Sequence, residues 1–166
     1  IMTSIDQRFS KGKVWSDDNK RIFHDNTGYI ILQADTCITL TENKEGQWKD
    51  FMGMYKPEIL KSKLFSVYLK HRKDAPASYV YLTLPATTQQ KVRDFDSRSV
   101  HIIRNDKKAQ AAVINDLCYA SVYHPTNLLI DNDNPIAISE PGTYIIHIKK
   151  KEIVSHESFV LQLTNK

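Results

Sequence analysis

Hydrophobic and polar residues alternate with a period of two along most of this 166-residue chain. Such alternation is typical of β-strands that bury one face and expose the other. In the first half of the chain it predicts strands at residues 29–32, 36–41, 64–70 and 78–84. The last two flank a polar stretch that contains Pro76, so we expect them to pair as a hairpin.

The second half repeats the pattern in shorter pieces. Residues rich in Asn, Asp, Pro and Gly separate these pieces, as is typical of turns. Short strands at such regular spacing favour a compact β-sandwich. The strands predicted in this half cover residues 100–104, 111–114, 117–123, 127–130, 143–149 and 158–163.

Helical periodicity is scarce. Residues 87–95 are predicted to form two helical turns, with Thr87 as the N-cap and Gln90 at position N3. One further turn is expected before Pro57. Neither segment is long enough to shape the architecture, so the predicted fold class is all-β with little helix.

Several features change together near Phe95, where the short helix ends and the strands become shorter. Residues 1–95 carry 15 Lys and Arg against 11 Asp and Glu, whereas residues 96–166 carry eight of each. We therefore expect two units, 1–95 and 96–166. The whole net charge of +4 then belongs to the first unit.

The composition is that of an ordinary globular protein, with 41% hydrophobic and 25% charged residues. No apolar run approaches the roughly 20 residues that cross a bilayer, so no membrane span is expected. No signal peptide is visible at the start, because no basic stretch precedes an apolar one. Since Ile1 precedes the first Met, we expect a piece of a longer protein.

Neither the cysteines nor the histidines form a recognisable reactive group. Cys37 and Cys118 lie in separate apolar strands, which favours two buried free thiols over a disulfide or a metal site. His24 and Asp25 are adjacent, and neighbouring strand residues point to opposite faces, so no dyad is expected. His147 and His156 are expected to face each other across a hairpin, but no third metal ligand accompanies them. We therefore predict no catalytic residue, no metal site and no cofactor.

Residues 131–134 superficially resemble a calcium-binding loop. A helix-flanked calcium loop needs Gly at its sixth position and Glu at its twelfth, where this chain has Ile136 and Gly142. The segment is therefore predicted to be a turn. With 5 glycines in the chain and no glycine-rich motif, a phosphate-binding loop is not expected either.

The basic and aromatic residues leave two interpretations open. A basic face attracts polyanions such as sulfated sugars or nucleic acid, but it also serves as an ordinary solvated surface. Likewise Trp15, Trp48 and the 8 tyrosines suit either sugar stacking or cross-strand packing, and packing is the usual role within strands. The lysines and arginines concerned are Lys61, Lys63, Lys70, Arg72 and Lys73.

Five short segments, in the same order along the chain, resemble polysaccharide lyase family 8, the hyaluronate, chondroitin and xanthan lyases. Arg72 stands where the family usually has glycine after the histidine. The resemblance runs from about Thr3 to Leu163. The five segments are 3–7, 24–29 (His-Asp-x-x-Gly-Tyr), 46–51 (Gly-x-Trp), 71–85 (His, then Ser-Tyr-Val-Tyr and Leu-Pro) and 103–111.

The resemblance implies the end of a large antiparallel β-sandwich at 1–95, followed by a small C-terminal β-sandwich at 96–166. Family enzymes cleave uronic-acid polysaccharides by β-elimination. The resemblance places their catalytic Asn, His, Tyr, Arg and Glu upstream of Ile1, in an N-terminal α/α-toroid domain and the first part of the central β domain. His24 and Tyr29 correspond to a structural strand, and Trp48 to a packed turn, so Trp48→Ala is expected to cost roughly 3–5 kcal/mol.

These expectations make the chain the non-catalytic β-sandwich portion of a parent lyase, inactive alone. Its partners would be the upstream toroid of the same polypeptide and, through the parent enzyme, an acidic polysaccharide; no nucleic acid partner is expected. The family's substrates imply a secreted or periplasmic bacterial protein. The alternatives are a stand-alone carbohydrate-binding β-sandwich module and an unrelated β-rich adhesion module.

Overall fold

A computed structural model describes residues 2–18, 20–74, 77–130, 135–150 and 152–158. The chain divides into two compact units, Ile1–Phe95 and Asp96–Lys166. Within the described residues, β-strands dominate and a single short α-helix is present. The prediction of an all-β fold with little helix is therefore confirmed.

The first unit consists of two antiparallel sheets. Its strands are β1 (Met2–Phe9), β2 (Trp15–Asp17), β3 (Arg21–His24), β4 (Thr27–Gln33), β5 (Thr36–Gly46), β6 (Leu60–Lys70) and β7 (Val80–Leu84). One sheet has the order β1-β6-β5 and the other the order β2-β3-β4-β7. Alternate residues of both sheets form the core, led by Ile22, Tyr29, Phe65, Val67 and Leu69.

The pairing of these strands differs from the sequence-based prediction. β6 pairs with β1 and β5, whereas β7 pairs with β4 in the other sheet. The expected hairpin between residues 64–70 and 78–84 is therefore wrong, because the chain changes sheet between them. Alternation identified both segments as strands, but it does not encode the partner of a strand.

The β3–β4 hairpin is closed by Asp25 and Asn26, whose φ angles are 45° and 60°. Two consecutive residues with positive φ give the tight turn that matches strand twist, and Asp and Asn tolerate this conformation well. Strand β3 therefore ends at His24, and Asp25 belongs to the turn.

The short helix α1 (Gln89–Arg93) packs against β3 and β4. Its N-cap is Thr88, whose hydroxyl accepts from the Lys91 amide at 3.3 Å, so the predicted cap at Thr87 is wrong by one residue. Val92 is the buried residue of this helix. A Cβ built on Gly28 would lie 2.2 Å from Val92 Cγ2, so this close approach requires glycine.

The second unit packs a five-stranded antiparallel sheet, of order β14-β13-β10-β9-β8, against the two-stranded ribbon β11-β12. Its strands are β8 (Val100–Asn105), β9 (Ala109–Ile114), β10 (Leu117–Val122), β11 (Thr126–Leu129), β12 (Pro135–Ile138), β13 (Gly142–His147) and β14 (Glu152–Ser158). Strand β12 was not predicted, and the last predicted strand, 158–163, overlaps β14 only at Ser158. Residues 159–163 lie outside the described residues.

Two single turns of 3-10 helix, Trp48–Asp50 and Ser97–Ser99, complete the secondary structure of the described chain. In the same part of the chain, no helix combines the length and the apolar character that crossing a bilayer requires.

Candidate functional site

A network of polar side chains connects β1 to the β3–β4 hairpin in the first unit. Arg8 donates from Nη1 to Thr27 Oγ1 at 3.0 Å and forms an ion pair with Asp6. The Tyr29 hydroxyl donates to the same Asp6 carboxylate. Burial and this hydrogen bond raise the pKa of Tyr29 well above its ordinary value. Tyr29 is therefore held protonated, with its hydroxyl engaged inside the unit.

His24 lies beside this network and has no accessible surface. Its ring stacks on Phe65 with the centroids 4.1 Å apart. Its Nε2 atom lies 2.9 Å from Ser10 Oγ and 3.4 Å from Asp25 Oδ2. The prediction that His24 and Asp25 point apart is therefore wrong, because Asp25 lies in the turn rather than in the strand.

The arrangement of Ser10, His24 and Asp25 does not match a catalytic relay. In a relay the carboxylate binds one ring nitrogen and the hydroxyl the other, whereas here both approach Nε2. Within the described chain, the buried Nδ1 atom has no hydrogen-bond partner. Burial lowers the pKa of His24, which keeps the ring neutral. Because the ring is sealed from solvent, it is placed to pack rather than to take a proton from a bound polymer.

Three aromatic rings form a ladder on the surface of the first unit. His71 lies 5.2 Å from Tyr79, and Tyr79 lies 6.2 Å from Tyr81, measured between ring centroids. His71 Nε2 is also 3.0 Å from Thr3 Oγ1, which fixes the first ring. Tyr79 is exposed, His71 and Tyr81 are half-buried, and the exposed Arg72 follows His71 in sequence. Exposed aromatic rings are suited to contact with a sugar face.

The second unit contains an apolar cavity of about 530 Å³, bordered by β12, β13 and β14. At its edge the His156 ring stacks on Tyr144 at 4.4 Å. In the β13–β14 register His156 lies opposite Tyr144, and His147 lies opposite Glu152. The two histidines therefore do not face each other, and the prediction that they meet across a hairpin is wrong.

The cysteine prediction is confirmed, since Cys37 and Cys118 are both free and buried. Burial raises the pKa of each thiol to about 11, so neither is a ready nucleophile at neutral pH. Across the described ranges, no group of three or more His, Cys, Asp or Glu residues is placed to hold a metal ion. The predicted turn at 131–134 lies outside these ranges.

The position of Trp48 contradicts the sequence-based prediction. Its side chain is 59% exposed rather than packed, and it contacts the rings of Phe51 and Tyr55, each 6.4 Å away. The sequence analysis did not predict this exposed aromatic cluster. Its signal in the sequence is the five large apolar residues between positions 48 and 55, which do not alternate as they would in a strand.

Comparisons with known proteins agree with this fold. The model of polysaccharide lyase family 8, super-sandwich domain, matches residues 1–96. A hyaluronate lyase from Thermasporomyces composti is 25% identical over 126 residues, which cover 73% of this chain and 16% of that protein.

Two solved structures share the fold at low sequence identity. A chondroitinase AC lyase matches with a TM-score of 0.75 and 16% identity, over 92% of this chain and 25% of that chain. The chondroitin AC lyase of Streptomyces coelicolor A3 matches with a TM-score of 0.70 and 18% identity, over 88% of this chain and 20% of that chain. The chain thus spans a quarter or less of the length of each relative.

Proposed function

The chain belongs to polysaccharide lyase family 8, and we propose that it forms the non-catalytic β-sandwich portion of an enzyme that cleaves uronic-acid polysaccharides by β-elimination. Residues 1–95 would be the C-terminal part of the central β-sandwich, and residues 96–166 the small C-terminal β-sandwich. The first unit would support one side of a substrate cleft whose reactive groups lie elsewhere in the polypeptide.

The observation that carries the proposal is that His24 and Tyr29 are buried and that both are engaged in contacts within the unit. β-Elimination at a uronic acid needs a group that neutralises the carboxylate, a base near the C5 proton and an acid near the leaving oxygen. A histidine and a tyrosine are natural choices for the last two roles. Here His24 is buried against Phe65, and Tyr29 donates to Asp6. Both side chains are occupied in packing, so the proposal assigns them structural roles.

The remaining parts of the proposal follow from family membership. The parent enzyme would bind an acidic polysaccharide of the hyaluronan or chondroitin type, mainly through an α/α-toroid domain upstream of this segment. Such polymers lie outside the cell, so the parent would be secreted or periplasmic in a bacterium. The segment would need no metal and no cofactor, and nucleic acid would not be a partner.

A stand-alone carbohydrate-binding role is the second candidate, and the ladder of His71, Tyr79 and Tyr81 favours it. These partly exposed rings offer a stacking surface to a sugar, and Arg72, next to His71 in sequence, carries a positive charge. In this case the purified chain would be retained on chondroitin sulfate resin, and its retention would fall steeply as the salt concentration rises. Tyr79→Ala would then abolish retention.

The lyase proposal is tested by the ultraviolet absorbance of the unsaturated uronate product. We expect the purified 166-residue chain to release none from hyaluronan or chondroitin sulfates, even at high protein concentration. A polypeptide that also contains the upstream domain should release it readily. Positioning and proton transfer each remove many kcal/mol from the barrier, so losing them lowers the rate by orders of magnitude.

Product formed by the isolated chain would contradict the proposal if it disappeared in a His24→Ala or His71→Ala variant. That result would place the reactive groups within these β-sandwiches. Absence of product from the longer polypeptide would instead contradict the assignment of the parent as a lyase on these polymers.

A further inference from the structure

The hairpin of β5 and β6 extends beyond the sheet to which it belongs. The two strands pair along their full length, from Thr36 opposite Lys70 to Gly46 opposite Leu60. β1 pairs with β6 only between Lys70 and Leu64. Among the described residues, the outer part of the hairpin is therefore a two-stranded ribbon without a third strand. We refer to residues 43–63 as the hairpin arm.

The end of this arm is apolar. The Trp48 ring contacts the rings of Phe51 and Tyr55, and Met52 and Met54 lie beside them in sequence. We refer to these five residues as the tip cluster. Phe51 is 82% exposed and Met54 is 88% exposed, and the other three are each about half exposed. Ile59 and Leu60 continue the exposed apolar surface into β6.

Such a surface is unusual on a hairpin end, where small and polar residues are the norm. Contiguous exposed apolar side chains indicate contact with another surface. Trp, Tyr, Phe and Met are also the residue types enriched at the centres of protein–protein interfaces. The two methionines adapt to an irregular apolar partner better than to the flat face of a sugar ring.

The charges at the end of the arm do not favour an acidic polysaccharide as the occupant of the tip cluster. Between residues 47 and 59, two lysines are balanced by two acidic residues, Lys49 and Lys56 against Asp50 and Glu58. On the ribbon, Lys61 forms an ion pair with Glu45 at 2.8 Å, and Lys44 forms one with Glu42. The tip cluster therefore lacks the positive surplus that attracts a polyanion. An apolar protein surface is the better match.

We propose that the tip cluster docks into an apolar groove on another domain of the same lyase polypeptide. This inference rests on the proposed function, and it specifies the contact by which the β-sandwich portion joins the rest of the enzyme. The chain spans 16% of the hyaluronate lyase and 25% of the chondroitinase AC lyase that it resembles. In an enzyme of that size, most of the polypeptide is available to cover the tip cluster.

Hydroxyl-radical footprinting with mass spectrometry tests the contact, because it reports the solvent exposure of each residue separately and Trp and Met react readily. The isolated 166-residue chain is compared with the full-length lyase that contains it. We expect oxidation of Trp48, Met52 and Met54 to fall several-fold in the full-length protein. Tyr119, which is exposed in the second unit, serves as the internal reference and should keep its rate.

Substitutions identify the tip cluster as the cause of the protection. In the full-length lyase, the double variant Phe51→Lys, Met54→Lys should restore the oxidation of Trp48 to its rate in the isolated chain. The matched control is Leu129→Lys, which alters a similarly exposed apolar residue in the second unit. It should leave Trp48 protected.

Three results would overturn the docking proposal. Equal oxidation of Trp48 in the two proteins would show that no domain covers it. Protection that grows with the concentration of the isolated chain would identify a second copy as the occupant. Protection that appears only when hyaluronan or chondroitin sulfate is added would identify the polysaccharide.

The same preparations separate this proposal from the proposed function. If the full-length protein releases unsaturated uronate while Trp48 stays exposed, the docking contact fails and the lyase assignment stands. If Trp48 is protected but no product forms from either polymer, the lyase assignment fails and the docking contact stands.

Discussion

Gly28 offers a sharp test of how helix α1 is attached to the first unit. The residue lies in β4, directly under the helix, where a Cβ would come within 2.2 Å of Val92 Cγ2 and 3.3 Å of Thr87 Cγ2. Val92 has no accessible surface, so its side chain cannot turn away into solvent. The substitution Gly28→Ala must therefore displace the helix or distort β4.

The expected cost follows from overpacking. Extra methyl groups forced into a packed site cost typically about 1–3 kcal/mol. Where alanine fits without strain, replacing glycine instead stabilises a protein by about 0.4–1 kcal/mol, because the unfolded chain loses freedom. At Gly28 the clash outweighs this gain. The resulting loss should lower the melting temperature by roughly 4–8 °C for each kcal/mol in a unit of this size.

Tryptophan fluorescence during urea unfolding measures the effect. Both tryptophans lie in the first unit, and the Trp15 ring lies 5.1 Å from the Arg93 guanidinium of α1, so it senses the helix directly. Gly46→Ala is the matched control, since nothing lies within 4 Å of a Cβ built there. The double variant Gly28→Ala, Val92→Ala should lose less stability than the sum of the single variants, because the clash is removed. Wild-type stability of Gly28→Ala, or additivity in the double variant, would refute the contact.

Two further predictions concern His24 and Trp48. Burial lowers the pKa of His24 below the value of about 6.5 expected in the unfolded chain, and the nearby Arg8 acts in the same direction against the opposing Asp25. Stability should therefore decrease as the pH falls below about 6.5, because the unfolded chain then binds a proton that the folded unit excludes. A His24→Gln variant should show a flatter urea midpoint against pH, and an unchanged slope would contradict the assignment. Trp48→Ala should change the stability of the isolated chain by only about 0.5 kcal/mol, because the side chain is exposed, and a loss of several kcal/mol in chemical unfolding would show that it is packed.

Many of the strands could be located from the sequence because alternation is a local property, but β1, β2, β3 and β12 were not predicted from it. Segments 29–32 and 36–41 both fall within observed strands, β4 and β5. Their partners could not be found in the same way. β6 and β7 follow each other along the chain but join different sheets, and residues of the two sheets, among them Phe65 and Leu69 of β6 and Ile22 of β3, share one core.

The candidate site was less predictable, because its contacts depend on backbone turns and on distant strands. Asp25 meets His24 because the turn gives Asp25 a positive φ, which strand geometry does not anticipate. The contact of Tyr29 with Asp6 joins strands of different sheets, and no local sequence pattern predicts it. Trp48 was predicted as packed because the resemblance places it at a structural turn and large aromatic residues are usually buried, yet it is 59% exposed.

The segment 24–29 carries one of the patterns by which the chain resembles the lyase family. Each of its distinctive residues has a structural task in this unit. His24 stacks on Phe65, Asp25 closes the hairpin, Gly28 admits Val92, and Tyr29 binds the Asp6 carboxylate. Together these contacts join β1, the β3–β4 hairpin, β6 and α1. Packing within this unit therefore accounts for every distinctive position of the His-Asp-x-x-Gly-Tyr pattern.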